Sequence, residues 1–189
     1  MSIRYLLSLA LLAIGGGSSS WAQTSDIKTS ENLNNPERVY TISNCNGLMM
    51  TPYTSPTRTN ENAGHFAFYA ASTNGQYYIY NVDSKVWVSY DKAYSYSNGP
   101  GKAKLISDKT NAQPWKATKT TAQNGTAAYE FQPITSTGKA DKYMNWHGGV
   151  DFNPLDNKTI TVGLWQDNGK QDNGSAWVLQ DNEIGRAHV

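Results

Sequence analysis

The chain has 189 residues, of which 38% are hydrophobic and 16% are charged, and its formal net charge is +1. This composition fits one compact domain with a core and excludes a wholly disordered chain. Because there is neither a large positive charge nor a run of Lys or Arg, the sequence offers no electrostatic footprint for nucleic acid or an anionic lipid surface. The six Trp and twelve Tyr favour strands.

Residues 1–22 have the pattern of a secretory signal. Arg4 supplies a positive start, Tyr5 to Ile14 is apolar but too short to span a bilayer, and Ser20 and Ala22 are small residues at the positions that a signal peptidase reads. A membrane anchor is the alternative. We expect an exported protein with no membrane span.

Two further segments are expected to lie outside the folded domain. Residues 23–38 are rich in Ser, Thr and Asn and include Pro36, which predicts a flexible leader. Residues 183–189 continue no pattern and resemble the translation of a common sequencing adapter, so we expect them to be an artefact. A partner domain is then expected to follow Asn182 in the natural protein.

From Val39 onward, short apolar or aromatic runs alternate with clusters of turn-forming residues. No segment of helical length has a sustained apolar stripe at i, i+3 and i+4. Short, regularly spaced strands predict a sandwich or a barrel. The twelve runs are Val39–Ser43, Gly47–Thr51, a weak one near Thr57, His65–Ala71, Tyr77–Val82, Val86–Tyr90, Ala103–Ser107, Pro114–Thr118, Ala128–Ile134, Lys142–Trp146, Thr161–Gln166 and Ala176–Gln180.

Two phrases occur three times, always in the same order. One is Tyr-x-(Ile/Phe), the period-two mark of a half-buried strand; the other is Asn, a small residue, two variable positions and a large aromatic. They predict three four-stranded units, about 39–74, 75–122 and 126–182, that share one core. This count favours an all-β β-trefoil, a six-stranded barrel with a hairpin cap; a Greek-key sandwich would leave the tripling unexplained. The expected core residues are Tyr40, Ile42, Phe66, Tyr77, Ile79, Trp115, Tyr129, Phe131 and Trp177.

The phrase Asn111-Ala112-Gln113-Pro114-Trp115 matches the Gln-x-Trp phrase of ricin-type β-trefoil lectins. In the third unit, Tyr143-Met144-Asn145, Val162-Gly163-Leu164-Trp165 and Asn173-Gly174-Ser175-Ala176-Trp177 follow that family's order of elements. The resemblance covers about 39–180. Only the second unit keeps the Gln, the first unit ends in Phe66, and the disulfides of many members are absent. The chain is also similar to trefoil modules attached to secreted bacterial glycan-degrading enzymes, which implies a glycan partner and a secreted, periplasmic or cell-surface location in a bacterium.

The resemblance implies a shallow sugar site in each unit, built from a flat aromatic ring and amide or carboxylate groups. The third unit is best equipped: Trp165 falls at the stacking position, Asn145 where the family has Asp, and Asn173 at the family's Asn. Asn in place of Asp gives up a charge-assisted hydrogen bond, and Trp165 as a core aromatic stays open. The expected sugar-binding residues are Trp165, Asn145, Asn173, Asp167, Asn168, Trp146 and His147. The other units, with Ile106 and Ser89 in the second and Met50 in the first, are expected to be weak or silent.

No catalytic pattern is present, so we expect neither an enzyme nor a metal or cofactor. The three His are scattered, and Asp151 and Asp156 have no partner placed by a motif. Cys45 is the only cysteine and is expected to be a small buried hydrophobe. Two alternatives to a carbohydrate-binding module remain: a protein-binding or adhesion trefoil using the Tyr-rich loop 90–101, and a small secreted hydrolase.

Overall fold

The structure is a computed structural model that describes residues 24–51, 56–90, 103–106, 109–134, 142–146 and 162–182. Within these ranges the chain is all-β, with short 3-10 turns and no α-helix. The predicted signal and the predicted artefact lie outside the described residues. The strands are β1 (Val39–Asn44), β2 (Met49–Met50), β3 (Pro56–Thr57), β4 (Phe66–Ala70), β5 (Gln76–Asn81), β6 (Val86–Tyr90), β7 (Ala103–Ile106), β8 (Trp115–Thr121), β9 (Ala127–Pro133), β10 (Tyr143–Trp146), β11 (Val162–Trp165) and β12 (Trp177–Asn182).

Six of the strands close into an antiparallel barrel. Around the ring, β1 pairs with β12, β12 with β9, β9 with β8, β8 with β5, β5 with β4, and β4 with β1 again. Closure leaves no exposed edge on this ring of strands. Gly75 lies between β4 and β5 and Gly125 between β8 and β9, with φ of 76° and 85°. Glycine suits both turns because other residues adopt this left-handed conformation at a cost.

The other six strands form hairpins: β2 pairs with β3, β6 with β7 and β10 with β11. The strands β2 and β6 also pair with the barrel strands β1 and β5 that precede them, whereas β10 and β11 form a separate two-stranded sheet. Each of the twelve predicted runs overlaps one strand, and four strands fall within each of the segments 39–74, 75–122 and 126–182. The all-β prediction and its six-stranded barrel are therefore confirmed.

One aromatic and aliphatic cluster from the barrel and hairpins forms the main core. The indole N–H of Trp115 donates to the carbonyl of Val88 at 2.9 Å, and that of Trp177 donates to the carbonyl of Met144 at 2.8 Å. Such bonds satisfy the polar end of a buried indole. Tyr77 is half-buried against the same cluster. The other eight expected core residues are buried: Tyr40, Ile42, Phe66, Ile79, Trp115, Tyr129, Phe131 and Trp177.

The segment 24–38 is bound to the barrel, which corrects the expectation of a flexible leader. The N–H of Ser25 donates to the carbonyl of Leu179 in β12 at 2.8 Å, and the N–H of Ser30 donates to the carbonyl of Phe68 in β4 at 2.8 Å. Ile27 packs against the main core. Polar composition suggested a loose chain, but the segment is fixed largely by backbone groups, which every residue carries.

Candidate functional site

Four of the seven predicted sugar-binding residues lie in the connection from β11 to β12. Trp165 ends β11, Asp167 and Asn168 follow it in a turn, and Asn173 begins the 3-10 turn Asn173–Ser175. All four are half-buried. His147 lies outside the described residues. We refer to residues 165–175 as the β11–β12 loop.

The indole of Trp165 is held in place by its own loop. Its Nε1–H donates to Oδ2 of Asp167 at 3.0 Å. The bond fixes the ring while leaving part of its surface in solvent. A half-exposed aromatic ring with its polar end satisfied can present C–H-binding surface to a ligand at little further ordering cost.

Asn145 is buried beneath this loop, with 2% of its surface exposed. Its Nδ2 donates to Oγ of Ser175 at 2.8 Å and to Oδ2 of Asp172 at 3.0 Å. A Cβ added at Gly174 would lie 2.9 Å from the same Nδ2, so the turn packs directly against the amide. Asn145 was predicted to bind sugar hydroxyls; in the structure its amide hydrogens hold the 3-10 turn.

A chain of hydrogen bonds runs from Asn145 to the exposed part of the loop. Oγ of Ser175, which accepts from Asn145, donates to the carbonyl of Asp167 at 2.7 Å. The carboxylate of Asp167 in turn accepts from Trp165. The buried amide therefore positions the half-exposed indole through two intermediate residues.

Sequence reasoning missed Asp172 and Ser175. Oδ1 of Asp172 accepts from the N–H of Gly174 at 2.7 Å, which caps the 3-10 turn. An Asp immediately before a helical turn is a recognised N-cap signal. Read this way, Asp172-Asn173-Gly174-Ser175 would have indicated an ordered turn rather than an open loop.

The two remaining predicted amides differ in how their oxygens are used. Oδ1 of Asn168 accepts from the N–H groups of Lys170 and Gln171 at 3.0 and 3.1 Å, so it closes its own turn. Oδ1 of Asn173 is buried and has no hydrogen-bond partner among the described residues. An unpaired buried acceptor is costly, and because this oxygen is buried, a ligand hydroxyl could reach it only if the turn shifted.

Trp146 was predicted to be an exposed aromatic beside the ligand, and the structure corrects this. Only 2% of its surface is exposed, and its ring centroid lies 5.5 Å from that of Trp177. Both Asn145 and Trp146 are buried because β10 is covered on both faces. The polar neighbours in the sequence suggested a surface strand, but Asn145 is buried with its amide satisfied.

The other two units use the position equivalent to Asn145 for internal contacts. Oγ of Ser89 accepts from the N–H of Gln113 at 2.7 Å. The side chain of Met50 is buried, and its carbonyl accepts from the N–H of Gly64 at 2.7 Å. In each unit this position ties a hairpin strand to the segment before the next barrel strand.

The Tyr-rich loop 90–101 is described only at its first residue. Tyr90 is buried, and its hydroxyl donates to the carbonyl of Pro114 at 2.7 Å. It belongs to the core and not to a contact surface, which corrects its inclusion in the loop. Residues 91–101 and the side chain of Ile106 lie outside the described residues.

Cys45 is buried, and loss of hydration raises the pKa of its thiol to about 11.

Within the described ranges, no group of three or more His, Cys, Asp and Glu side chains could hold a metal ion. No helix within these ranges has the length and apolar character needed to cross a membrane.

No family model matches the chain, and neither does any curated protein sequence. Among solved structures, the chain is similar to part of a mosquitocidal holotoxin, at 18% identity and a TM-score of 0.53. The match covers 76% of this chain and 17% of the holotoxin chain. At this identity the likeness supports the fold alone.

Proposed function

We propose that the chain is a carbohydrate-binding module with a β-trefoil fold, exported by a bacterium and forming part of a longer glycan-active protein. The proposed site is in the third unit. Trp165 stacks on the apolar face of a sugar ring, while the carboxylate of Asp167 accepts hydrogen bonds from its hydroxyls. Asn145, Asp172 and Ser175 position these groups and do not touch the sugar.

The observation that carries this proposal is the pairing of Trp165 with Asp167. A half-exposed indole whose N–H is already bonded offers an oriented ring face. The adjacent carboxylate retains acceptor capacity, because one ionised carboxylate has about four lone-pair sites. An apolar ring beside a few fixed polar groups is the usual composition of a sugar-sized site.

The trefoil assignment is supported by the order of strand pairing. Each predicted unit supplies two barrel strands and one hairpin, and the indoles of Trp115 and Trp177 bond in the same way to a hairpin carbonyl. A similar arrangement within one part of a much longer holotoxin chain is consistent with a module joined to other domains.

The test is a glycan-array screen of the chain, followed by a titration of any hit monitored by Trp fluorescence. Trp165→Ala should weaken binding by about tenfold or more, corresponding to about 1.4 kcal/mol. Trp165→Phe should retain part of the affinity, because it keeps a flat ring. Ile106→Ala changes the equivalent position of the second unit and should leave the affinity unchanged.

Loss of binding in Trp165→Ala with an unaltered thermal transition supports the site. Equal glycan binding by Trp165→Ala and the unmodified chain would reject it. If no glycan binds, the protein-binding alternative through residues 91–101 becomes the better hypothesis, and deletion of that loop should then abolish partner capture.

A further inference from the structure

A second aromatic cluster lies apart from the main core, on the sheet formed by β4, β5 and β6. Tyr69 of β4 lies opposite Tyr78 of β5, and Tyr80 of β5 lies opposite Trp87 of β6. The ring centroid of Trp87 lies 5.5 Å from that of Tyr69, 6.1 Å from that of Tyr78 and 4.8 Å from that of Tyr80. Because side chains alternate across a strand, Phe68 joins the main core while Tyr69 joins this outer cluster.

The side-chain ammonium of Lys109 lies over three of these rings. Nζ of Lys109 lies 5.8 Å from the ring centroid of Tyr69, 5.3 Å from that of Tyr78 and 5.6 Å from that of Trp87. We call Tyr69, Tyr78 and Trp87 the aromatic cage. Among the described carboxylates, none forms a salt bridge with Lys109. The ammonium is therefore stabilised here by ring faces.

The distances from Nζ of Lys109 to the rings can be compared with those expected for a methylated ammonium. A methyl group that touches a ring face lies about 3.5–4.0 Å from it, and its bond to nitrogen adds about 1.5 Å. A methylated nitrogen would thus sit about 5.0–5.5 Å above each ring. The observed distances of 5.3–5.8 Å are close to this range.

We propose that Tyr69, Tyr78 and Trp87 form a binding site for a quaternary ammonium group of the choline type, and that Lys109 occupies the site until such a ligand displaces it. Recognition of quaternary ammonium by several aromatic faces follows from the negative potential of the rings and the weak hydration of a methylated cation. This site is distinct from the β11–β12 loop.

The occupant is easily displaced. Lys109 is exposed and belongs to a single 3-10 turn, Lys109–Asn111. A cation–π contact at an exposed site is weak, and competing against it should reduce the apparent affinity for an external cation by only about two- to fivefold. Trp87 and Tyr69 are buried, with 2% and 5% of their surfaces exposed, so a ligand can reach their rings only after the lysine side chain withdraws.

The electrostatic surroundings also favour a cation. Burial and the neighbouring charge of Glu37 raise the pKa of Tyr69 to about 12, and burial raises the pKa of Tyr80. The phenol of Tyr69 therefore stays neutral at physiological pH, so this member of the cage attracts a cation through its ring face. The proximity of Glu37 to Tyr69 adds a negative potential near the cage.

The experiment follows the indole N–H signal of Trp87 by NMR, assigned by its loss in Trp87→Phe, during titration with tetramethylammonium chloride. Sodium chloride at matched ionic strength is the salt control. The signal should shift saturably with tetramethylammonium and not with sodium. Lys109→Met should bind about two- to fivefold more tightly than the unmodified chain, whereas Lys116→Met, which removes an exposed lysine of β8, should bind as the unmodified chain does.

Tyr78→Leu, made in the Lys109→Met background, should weaken tetramethylammonium binding by about fivefold or more, with circular dichroism used to verify folding. No saturable shift in either the unmodified chain or Lys109→Met would overturn the proposal, as would an equal response to sodium. Trp165→Ala should leave this titration unchanged, so the result is independent of the sugar site.

A soluble choline-type ligand can be distinguished from a lipid that carries the same headgroup. Choline chloride is titrated as above, and the chain is sedimented with vesicles of phosphatidylcholine or of phosphatidylglycerol. Retention on phosphatidylcholine alone, lost in Tyr78→Leu, would identify a lipid headgroup as the ligand. A shift of the Trp87 signal with choline but no vesicle retention would identify a soluble ligand.

Discussion

The side-chain amide of Asn145 donates to Oγ of Ser175 at 2.8 Å, and its second contact reaches Oδ2 of Asp172 at 3.0 Å. An acid at this position is the alternative to compare with Asn145. In this chain a carboxylate there would lie against the carboxylate of Asp172. An amide is the better fit, because only the amide can donate to both oxygens.

Asn145→Asp should therefore destabilise the fold at neutral pH. Two like charges replace two hydrogen bonds in a buried setting, and we expect a loss of about 2 kcal/mol or more in the free energy of unfolding. Close like charges raise the pKa of the carboxyl pair, so the folded state binds an extra proton and stability should recover as the pH is lowered. Urea denaturation at neutral and acidic pH measures this. The exposed Asn62→Asp should lack this pH-dependent penalty; the same behaviour in both variants would contradict the explanation.

The buried indoles provide a second test. Trp177→Phe removes the donor to the carbonyl of Met144, and Trp115→Phe removes the donor to the carbonyl of Val88. Each removes a hydrogen bond from a buried carbonyl and removes ring volume, so the free energy of unfolding should fall by about 2–4 kcal/mol. Trp165→Phe, at a half-exposed site, should cost less. Denaturant titrations that rank Trp165→Phe as the most damaging change would contradict this account.

The strands were predicted correctly because buried and more exposed residues alternate along the barrel strands. Tyr40 and Ile42 both point into the core from β1, and the period-two pattern marked this directly. The burial of Asn145 and Trp146 was not predicted, and the reason for this is different. Asn145 and Trp146 lie next to each other in a strand covered on both faces, and no local pattern distinguishes a satisfied buried Asn from an exposed one.

The segment 24–38 is a second case in which local sequence patterns do not reveal tertiary contacts. Some of its contacts join residues far apart in the sequence, such as the bond from the backbone N–H of Ser25 to the backbone carbonyl of Leu179. Composition carries no information about such bonds. Trp165 and Asn173 were predicted from the order of motifs and lie in the β11–β12 loop, whereas the roles of Asp172 and Ser175 required the hydrogen-bond geometry.

The bound N-terminal segment predicts the effect of removing one hydroxyl. The hydroxyl of Tyr40 accepts from the N–H of Lys28 at 2.8 Å and donates to the carbonyl of Asp26 at 3.0 Å. Tyr40→Phe should lower the free energy of unfolding by about 1–2 kcal/mol and speed amide hydrogen exchange in residues 24–30.

Asp26→Asn is the control for that prediction. It weakens an exposed ion pair with Lys119, whose Nζ lies 2.6 Å from Oδ1 of Asp26. Exposed pairs contribute little to stability, so the variant should unfold as the unmodified chain does. If Asp26→Asn released the segment and Tyr40→Phe did not, the segment would be held by charge and not by the Tyr40 hydroxyl.

Burial of Cys45 predicts slow alkylation and a defined pH dependence. Lost hydration raises the pKa of the thiol from an ordinary 9.0 to about 11. Iodoacetamide should label the native chain far more slowly than the urea-unfolded chain, because the thiolate is the reactive form. Since the folded state keeps its proton longer, this contribution to stability is present below pH 9 and is lost as the pH rises towards about 11. Cys45→Ala should remove that part of the alkaline loss, which thermal melts across this range would measure.

Glu130 lies next to the β11–β12 loop, and its partial burial predicts a second pH-dependent change in stability. Oε2 of Glu130 accepts from the N–H of Gly169 at 3.4 Å, and desolvation raises the pKa of this half-buried carboxyl despite that bond. Because the folded pKa exceeds the unfolded one, the folded state binds more protons, and stability falls as the pH rises through the folded pKa. Glu130→Gln keeps an acceptor for Gly169 and removes the buried charge, so it should raise the thermal midpoint at neutral pH, and the gain should shrink as the pH is lowered below the ordinary value of 4.5. Melting curves over that range decide the matter, with the exposed Glu61→Gln as the control. A Glu130→Gln variant that is less stable at neutral pH would show that the carboxylate's bond to Gly169 outweighs the cost of burying its charge.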